Sequence, residues 1–314
     1  LGVNLFFVLS GFVLFAPYHA NLRPMDTIGD VATFYRKRAR RLLPLYFLVS
    51  LFGFIFVLQP PERTLSAFFL MATTTFPFTK GTFFPLYNGT LWSIGVEIWL
   101  SIAFPLLLLA YRRVGMWRVL VGTLILSMAV RIIGNDPEFY VKIPVLNFVK
   151  DSFLGRLDDL VLGMVIVCLY HRFKDYQVWE GWLFLCFLGG LAFLLATSSL
   201  WDYIQLEQVT RNVAPLPNTL FHCGCVLTLL SVLLTKNTVA RFIFANPVIQ
   251  LLGMMCYSLY VWHVWLIGRM AGPPMDQIFV FAILFPAITT LTYRYVEFGH
   301  VKETKMLFSA PRMR

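Results

Sequence analysis

Long apolar runs separated by short polar clusters dominate the chain, and they recur at about the 20 residues that a membrane-spanning helix needs. Nine such runs are legible, at about 3–18, 42–58, 88–110, 115–133, 151–170, 182–200, 217–235, 248–269 and 277–296. The predicted fold class is all-α, a polytopic transmembrane helix bundle. A further apolar stretch, 65–78, is interrupted by Thr73-Thr74-Thr75 and Pro77, so it reads as interfacial or re-entrant. Residues 1–298 form one membrane domain in this reading, and 299–314 a short basic tail.

Composition supports a membrane protein. The 314 residues are 58% hydrophobic and 13% charged, where a soluble domain carries about 25% charged residues. The net charge of +10 does not point to nucleic acid, because the chain has no room for a soluble basic face. Cys168, Cys186, Cys223, Cys225 and Cys256 all lie in apolar segments, which fits small core residues rather than disulfides. Cys223-Gly-Cys225 is too little for zinc, and the sequence supports no metal site.

Charge follows topology instead. Arg36, Lys37, Arg38, Arg40 and Arg41 sit against the start of the second run. If their loop is cytoplasmic, so are most of the 26 Lys and Arg residues, among them Arg23, Arg112, Arg113, Arg118, Arg172, Lys174, Lys236, Arg241 and Arg294, as the positive-inside rule asks. A cytoplasmic C-terminus then puts Leu1 outside, and the expected intact protein has a further span ahead of it, ten in all. A helix through the block turns about 100° per residue, so Arg36, Arg40, Lys37 and Arg41 share a roughly 140° arc with Tyr35, Ala39, Leu42 and Leu43 opposite. Such a face is either an interfacial anchor on lipid headgroups or a site for a phosphate-bearing ligand.

Polar residues inside the runs are the other candidates, since ionisable groups in a span are costly. Thr90, Ser93, Glu97 and Ser101 recur in steps of three or four and form one polar stripe. Glu97 there can orient a base, act as one or hold a hydroxyl substrate, or join a hydrogen-bond network between helices. Arg156 and Asp159 are spaced to pair at i, i+3. His263 shares a face with Tyr260 and Cys256 and has two readings, a helix-bridging donor or a chemical role; His222 is weaker. Asn4 and Ser10 lie in the first segment, where small and polar residues suit tight helix packing. Glu297 is within i+3 reach of Arg294, an end-of-span salt bridge.

Taken together, Gly2-Val-Asn-Leu-Phe-Phe-Val-Leu-Ser-Gly-Phe12, the basic block ending at Pro44, Leu91-Trp92-Ser93-Ile94-Gly95-Val96-Glu97, Tyr257-Ser258-Leu259-Tyr260-Val261-Trp262-His263 and Tyr295-Val296-Glu297 resemble the acyltransferase-3 family of membrane acyltransferases. The resemblance runs from residue 2 to about 298. Asn4 stands where the family commonly has aspartate, and Gly95 where it commonly has serine.

The resemblance implies a ten-span bundle that moves an acyl group, commonly acetyl, from cytoplasmic acyl-coenzyme A to a hydroxyl of a carbohydrate such as an envelope glycan or exopolysaccharide. It implies no permanently bound cofactor, acyl-coenzyme A being a co-substrate. Membrane lipids and the carbohydrate acceptor are the expected partners, in the inner membrane with the C-terminus cytoplasmic. The basic block would bind the coenzyme's phosphates, Glu97 and His263 would serve catalysis, and Asn4, Ser10, Trp92, Ser93, Tyr257, Ser258 and Tyr260 would line the substrate cavity. The family's first span carries an arginine and a histidine, the latter serving as base, and neither is in this chain. The rival expectation is a transporter or flippase for a lipid-linked sugar or an acylated small molecule.

Overall fold

The computed structural model describes residues 2–57, 64–85, 87–134, 137–139, 147–206, 215–244, 246–267 and 280–299. The expected basic tail, apart from Gly299, lies outside the described residues, as does the side chain of Trp265. The described residues are mostly helical and contain no strand.

The first five helices are α1 (Gly2–His19), α2 (Ile28–Phe52), α3 (Leu65–Ala72), α4 (Leu91–Val114) and α5 (Met116–Ile133). They are followed by α6 (Leu157–Phe173), α7 (Glu180–Leu206), α8 (Pro215–Leu234) and α9 (Thr238–Phe244). The last are α10 (Pro247–Met254), α11 (Cys256–Ile267) and α12 (Phe285–Leu291). π-Helical turns continue α2 at Gly53–Val57 and flank α12 at Val280–Leu284 and Thr292–Glu297.

Local chemistry sets several of these boundaries. Thr27 and Asp30 form a reciprocal cap at the start of α2: the Thr27 amide donates to Asp30 Oδ2 at 3.0 Å and the Asp30 amide to Thr27 Oγ1 at 3.1 Å. Each satisfies an amide that the first helical turn leaves without an internal partner. The capped helix therefore starts well before the apolar run, and the basic block lies inside it.

Among the described residues, six helices are long and apolar enough to cross a membrane, and the bent pair Thr238–Met254 and Cys256–Val264 passes the same test together. Hydropathy alone counts nine runs. Among those outside the six is the run at 151–170, whose helix α6 has 17 residues. At 1.5 Å per residue that is about 26 Å, short of a hydrocarbon core of about 30 Å. The stretch at 65–78 holds the eight-residue α3 and a 3₁₀ turn at Phe76–Phe78, too short to span.

The chain divides into two compact units, Leu1–Val31 with Trp99–Arg241, and Ala32–Ile98 with Phe242–Arg314. It passes between them inside α2, α4 and α9. In the first unit α6 is the central helix, buried at every position from Leu157 to Val167, and α1, α5 and α8 all pack on it. The contact with α1 is backbone against backbone. A Cβ on Gly11 would strike the Leu160 carbonyl, and one on Gly163 the Val8 carbonyl, so only glycine at both positions lets the helices approach this closely. Cys225 is buried in the same unit with Val8, Leu162, Ile166 and Phe221.

In the second unit α2, α4 and α11 share a core built on Leu42, Tyr46, Val49, Leu91, Ile94 and Val261. Tyr46 donates to the Met71 carbonyl at 2.7 Å and Tyr257 to the Leu42 carbonyl at 2.8 Å. Buried hydroxyls thus find backbone acceptors, as interior polar groups must.

Candidate active site

The basic block divides by direction. Arg36, Lys37 and Arg40 are exposed on α2, whereas Arg38 and Arg41, three residues apart and therefore neighbours on one face, turn into the second unit. Each meets a carboxylate that α2 does not itself carry. Arg38 Nη2 donates to Oε1 of Glu97 on α4. Arg41 Nε lies 3.7 Å from Oε1 of Glu297, in the π-helical turn after α12.

Both carboxylates are sealed from solvent, Glu97 being 1% exposed and Glu297 0%. An isolated buried charge is heavily penalised, and a guanidinium partner offsets that penalty. The arginines therefore set what these carboxylates are. Glu97 is a charge holder gripping Arg38. Glu297 accepts a hydrogen bond from Ser258 Oγ at 3.1 Å, and the Phe298 ring lies 5.9 Å from the Arg41 guanidinium carbon.

The expected Arg294–Glu297 bridge is corrected here. Arg294 Nη1 donates to the Phe298 carbonyl at 3.3 Å, and Glu297 faces Arg41 instead. The reason is local: Thr292–Glu297 is π-helical, and a turn closed by i→i+5 bonds no longer brings i and i+3 together.

The polar stripe of α4 is buried along its length, at Thr90, Ser93, Glu97 and Ser101. Ahead of the helix Asn88 Oδ1 accepts from the Thr90 amide and hydroxyl at 3.1 and 2.7 Å, while its Nδ2 donates to the Val261 carbonyl at 3.0 Å. Ser93 Oγ and Tyr260 OH are 2.7 Å apart. The start of α4 is thereby sewn to α11, a tie that Asn88 carries and that sequence reasoning missed; its signal was an Asn two residues before a Thr at a helix start.

Other expected residues fall as follows. Trp92 is buried with its ring 5.7 Å from that of Phe83. Tyr257 and Ser258 are buried on α11, committed to Leu42 and Glu297. His263 is half-buried, and its Nδ1–H donates to the Tyr260 carbonyl. Asn4 and Ser10 are half-buried on α1, in the first unit.

Arg156 and Asp159 belong to a charged cluster in the first unit. Arg156 Nη1 lies 3.6 Å from Asp159 Oδ2, while Nη2 donates to Asp151. Arg131 on α5 holds both oxygens of Asp158, at 2.8 and 2.6 Å. His222 on α8 sits 2.7 Å from Asp159 Oδ1. Burial pulls the ammonium of nearby Lys150 below its ordinary range, against the opposing pull of Asp151. Asp158, Asp159 and His222 bring three ligand atoms within 4.8 Å of one another, a metal-like spacing the sequence did not announce, but Arg131 and Arg156 already neutralise the two carboxylates.

Long apolar helices, together with buried carboxylates paired to arginines among them, define a multi-pass membrane protein. The chain belongs to the acyltransferase family whose acyltransferase domain matches residues 1–295. A Staphylococcus aureus (strain COL) protein named provisionally as an O-acetyltransferase is 26% identical over 96% of this chain and 53% of its own length. The exopolysaccharide production protein ExoZ of Rhizobium meliloti (strain 1021) is 28% identical over 86% of this chain and 77% of its own. A protein of Acidianus two-tailed virus, named provisionally as an acetyltransferase, is 26% identical over 84% of the chain and 72% of its own. The chain spans about half the length of the staphylococcal relatives. No solved structure matches it.

Proposed function

We propose that the protein is a membrane O-acyltransferase that moves an acyl group, acetyl in the simplest case, from acyl-coenzyme A to a hydroxyl of a carbohydrate. The family supports the reaction class, and the exopolysaccharide role in the name of one relative supports the acceptor class. The observation that carries the donor is the split of the basic block. Arg38 and Arg41 are braced by buried carboxylates while Arg36, Lys37 and Arg40 stay exposed on the same helix.

A braced guanidinium has little conformational freedom left to lose when it meets a phosphate oxygen. The exposed cations add the charge that draws a polyanion such as coenzyme A to this end of α2. The positive-inside pattern supports a cytoplasmic position for that end and for the C-terminus in an inner membrane, where acyl-coenzyme A is available.

The reaction balances without a cofactor. The acceptor oxygen attacks the thioester carbonyl, the tetrahedral oxyanion collapses, the C–S bond breaks, and the hydroxyl proton ends on the departing thiol. Deprotonation needs a base, and His263 on α11 is the candidate for it within the described residues. Glu97, committed to Arg38, is assigned an orienting role, and Ser93, whose hydroxyl donates to the Thr90 carbonyl at 2.9 Å, lines the same polar stripe with Tyr260 against it.

The deciding experiment measures acyl transfer from radiolabelled acetyl-coenzyme A to envelope carbohydrate in membranes from cells expressing the protein. Transfer with a raised KM for acetyl-coenzyme A in an Arg36→Ala/Arg40→Ala variant is expected. Carbohydrate movement across the membrane with no acetyl-coenzyme A binding would instead establish a transporter.

A further inference from the structure

The charged cluster of the first unit takes no part in the site described above, and its hydrogen-bond inventory is incomplete. Asp158 is fully engaged by Arg131. Asp159 is half engaged: Oδ1 accepts from His222, but Oδ2 has no hydrogen-bond partner. Neither do Nη1 and Nε of Arg156. Asp159 and Arg156 are each more than nine-tenths buried.

Oδ2 and Nη1 face each other at 3.6 Å, beyond the reach of a direct hydrogen bond. Leaving a buried donor and a buried acceptor unsatisfied side by side is expensive. A guest bonding to both would remove that cost, and the chemistry selects which guest.

A metal cation suits Asp159 but meets two guanidiniums and the Lys150 ammonium, which balance Asp151, Asp158 and Asp159 and leave no net negative charge to attract it. A phosphate suits Arg156 but meets Asp159 Oδ2, which repels it. A hydroxyl does both jobs, donating to Oδ2 and accepting from Nη1. We propose that Asp159 and Arg156, framed by His222, form a subsite for a hydroxyl of a neutral sugar. That this sugar is the acyl acceptor rests on the acyltransferase reading; that the subsite binds hydroxyls does not.

The test uses the whole protein in nanodiscs without acyl-coenzyme A, and saturation-transfer NMR with the methyl glycosides of glucose, galactose, mannose and N-acetylglucosamine. At least one glycoside should bind saturably and raise the melting temperature of the wild type, as a ligand of the folded state must. Asp159→Asn, and separately Arg156→Lys, should weaken that binding about tenfold or more and lose the thermal shift. Should either variant fail to fold, the other variant and the wild-type titration still decide.

Four results would overturn the subsite: no glycoside binding to the wild type, displacement of the glycoside by inorganic phosphate, displacement by Mg²⁺, or unchanged binding in a folded Asp159→Asn protein. Glycoside binding in a protein that transfers no acyl group would keep the subsite and remove its acceptor role. Acyl transfer without glycoside binding would keep the enzyme and remove the subsite.

Discussion

Arg38 and Glu97 are separated by 59 positions in the chain and joined by an ion pair inside it. Neither is explained without the other. A carboxylate sealed from solvent and an arginine on the inward face of α2 neutralise each other, and the pair fixes where the basic helix meets α4.

Glu97→Gln should abolish acyl transfer while leaving membrane abundance near normal, because the amide oxygen still accepts from Arg38 but no longer holds it by charge. Transfer assays and immunoblots of the same membranes check this. Near-normal turnover would sink the assignment.

Arg38→Ala should do more harm than Glu97→Gln. It strands the Glu97 charge in the interior, a loss of about 3–5 kcal/mol for a broken buried pair. Thermal melts of the purified protein in detergent should show a clear drop, and Arg38→Ala/Glu97→Ala should recover part of it.

Arg36→Ala/Arg40→Ala should leave the melting temperature unchanged, since both side chains are exposed, and raise the KM for acyl-coenzyme A with little change in kcat. The defect should shrink as salt rises, because screening removes the attraction in the wild type as well.

Glu297→Gln should weaken donor binding through Arg41, with Ser258→Ala giving a smaller effect in the same direction. Arg294→Ala should leave donor binding intact. The reverse ranking would restore the i, i+3 bridge between Arg294 and Glu297.

Gly163→Val should destabilise the protein by about 1–3 kcal/mol or more through overpacking, because its side chain would strike the backbone of α1. Gly122→Ala, where nothing lies within 4 Å of an added Cβ, is the matched control and should melt like the wild type.

The helical class, the membrane environment, the position of the basic block and the buried stripe through Glu97 were all legible in the sequence, because each depends on periodicity and composition along one segment. An apolar run long enough for a bilayer declares itself whatever its neighbours do. The partners did not declare themselves. That Arg38 takes Glu97, that Glu297 takes Arg41 instead of nearby Arg294, and that Asp159 meets His222 as well as Arg156 depend on which helices pack together and on a π-helical turn that shifts a side chain off its expected face. Burial makes those choices consequential, since a charge out of water must find its counterpart wherever the fold brings one. The sequence by itself determined where the charges lie along the chain; only tertiary packing decided which of them meet.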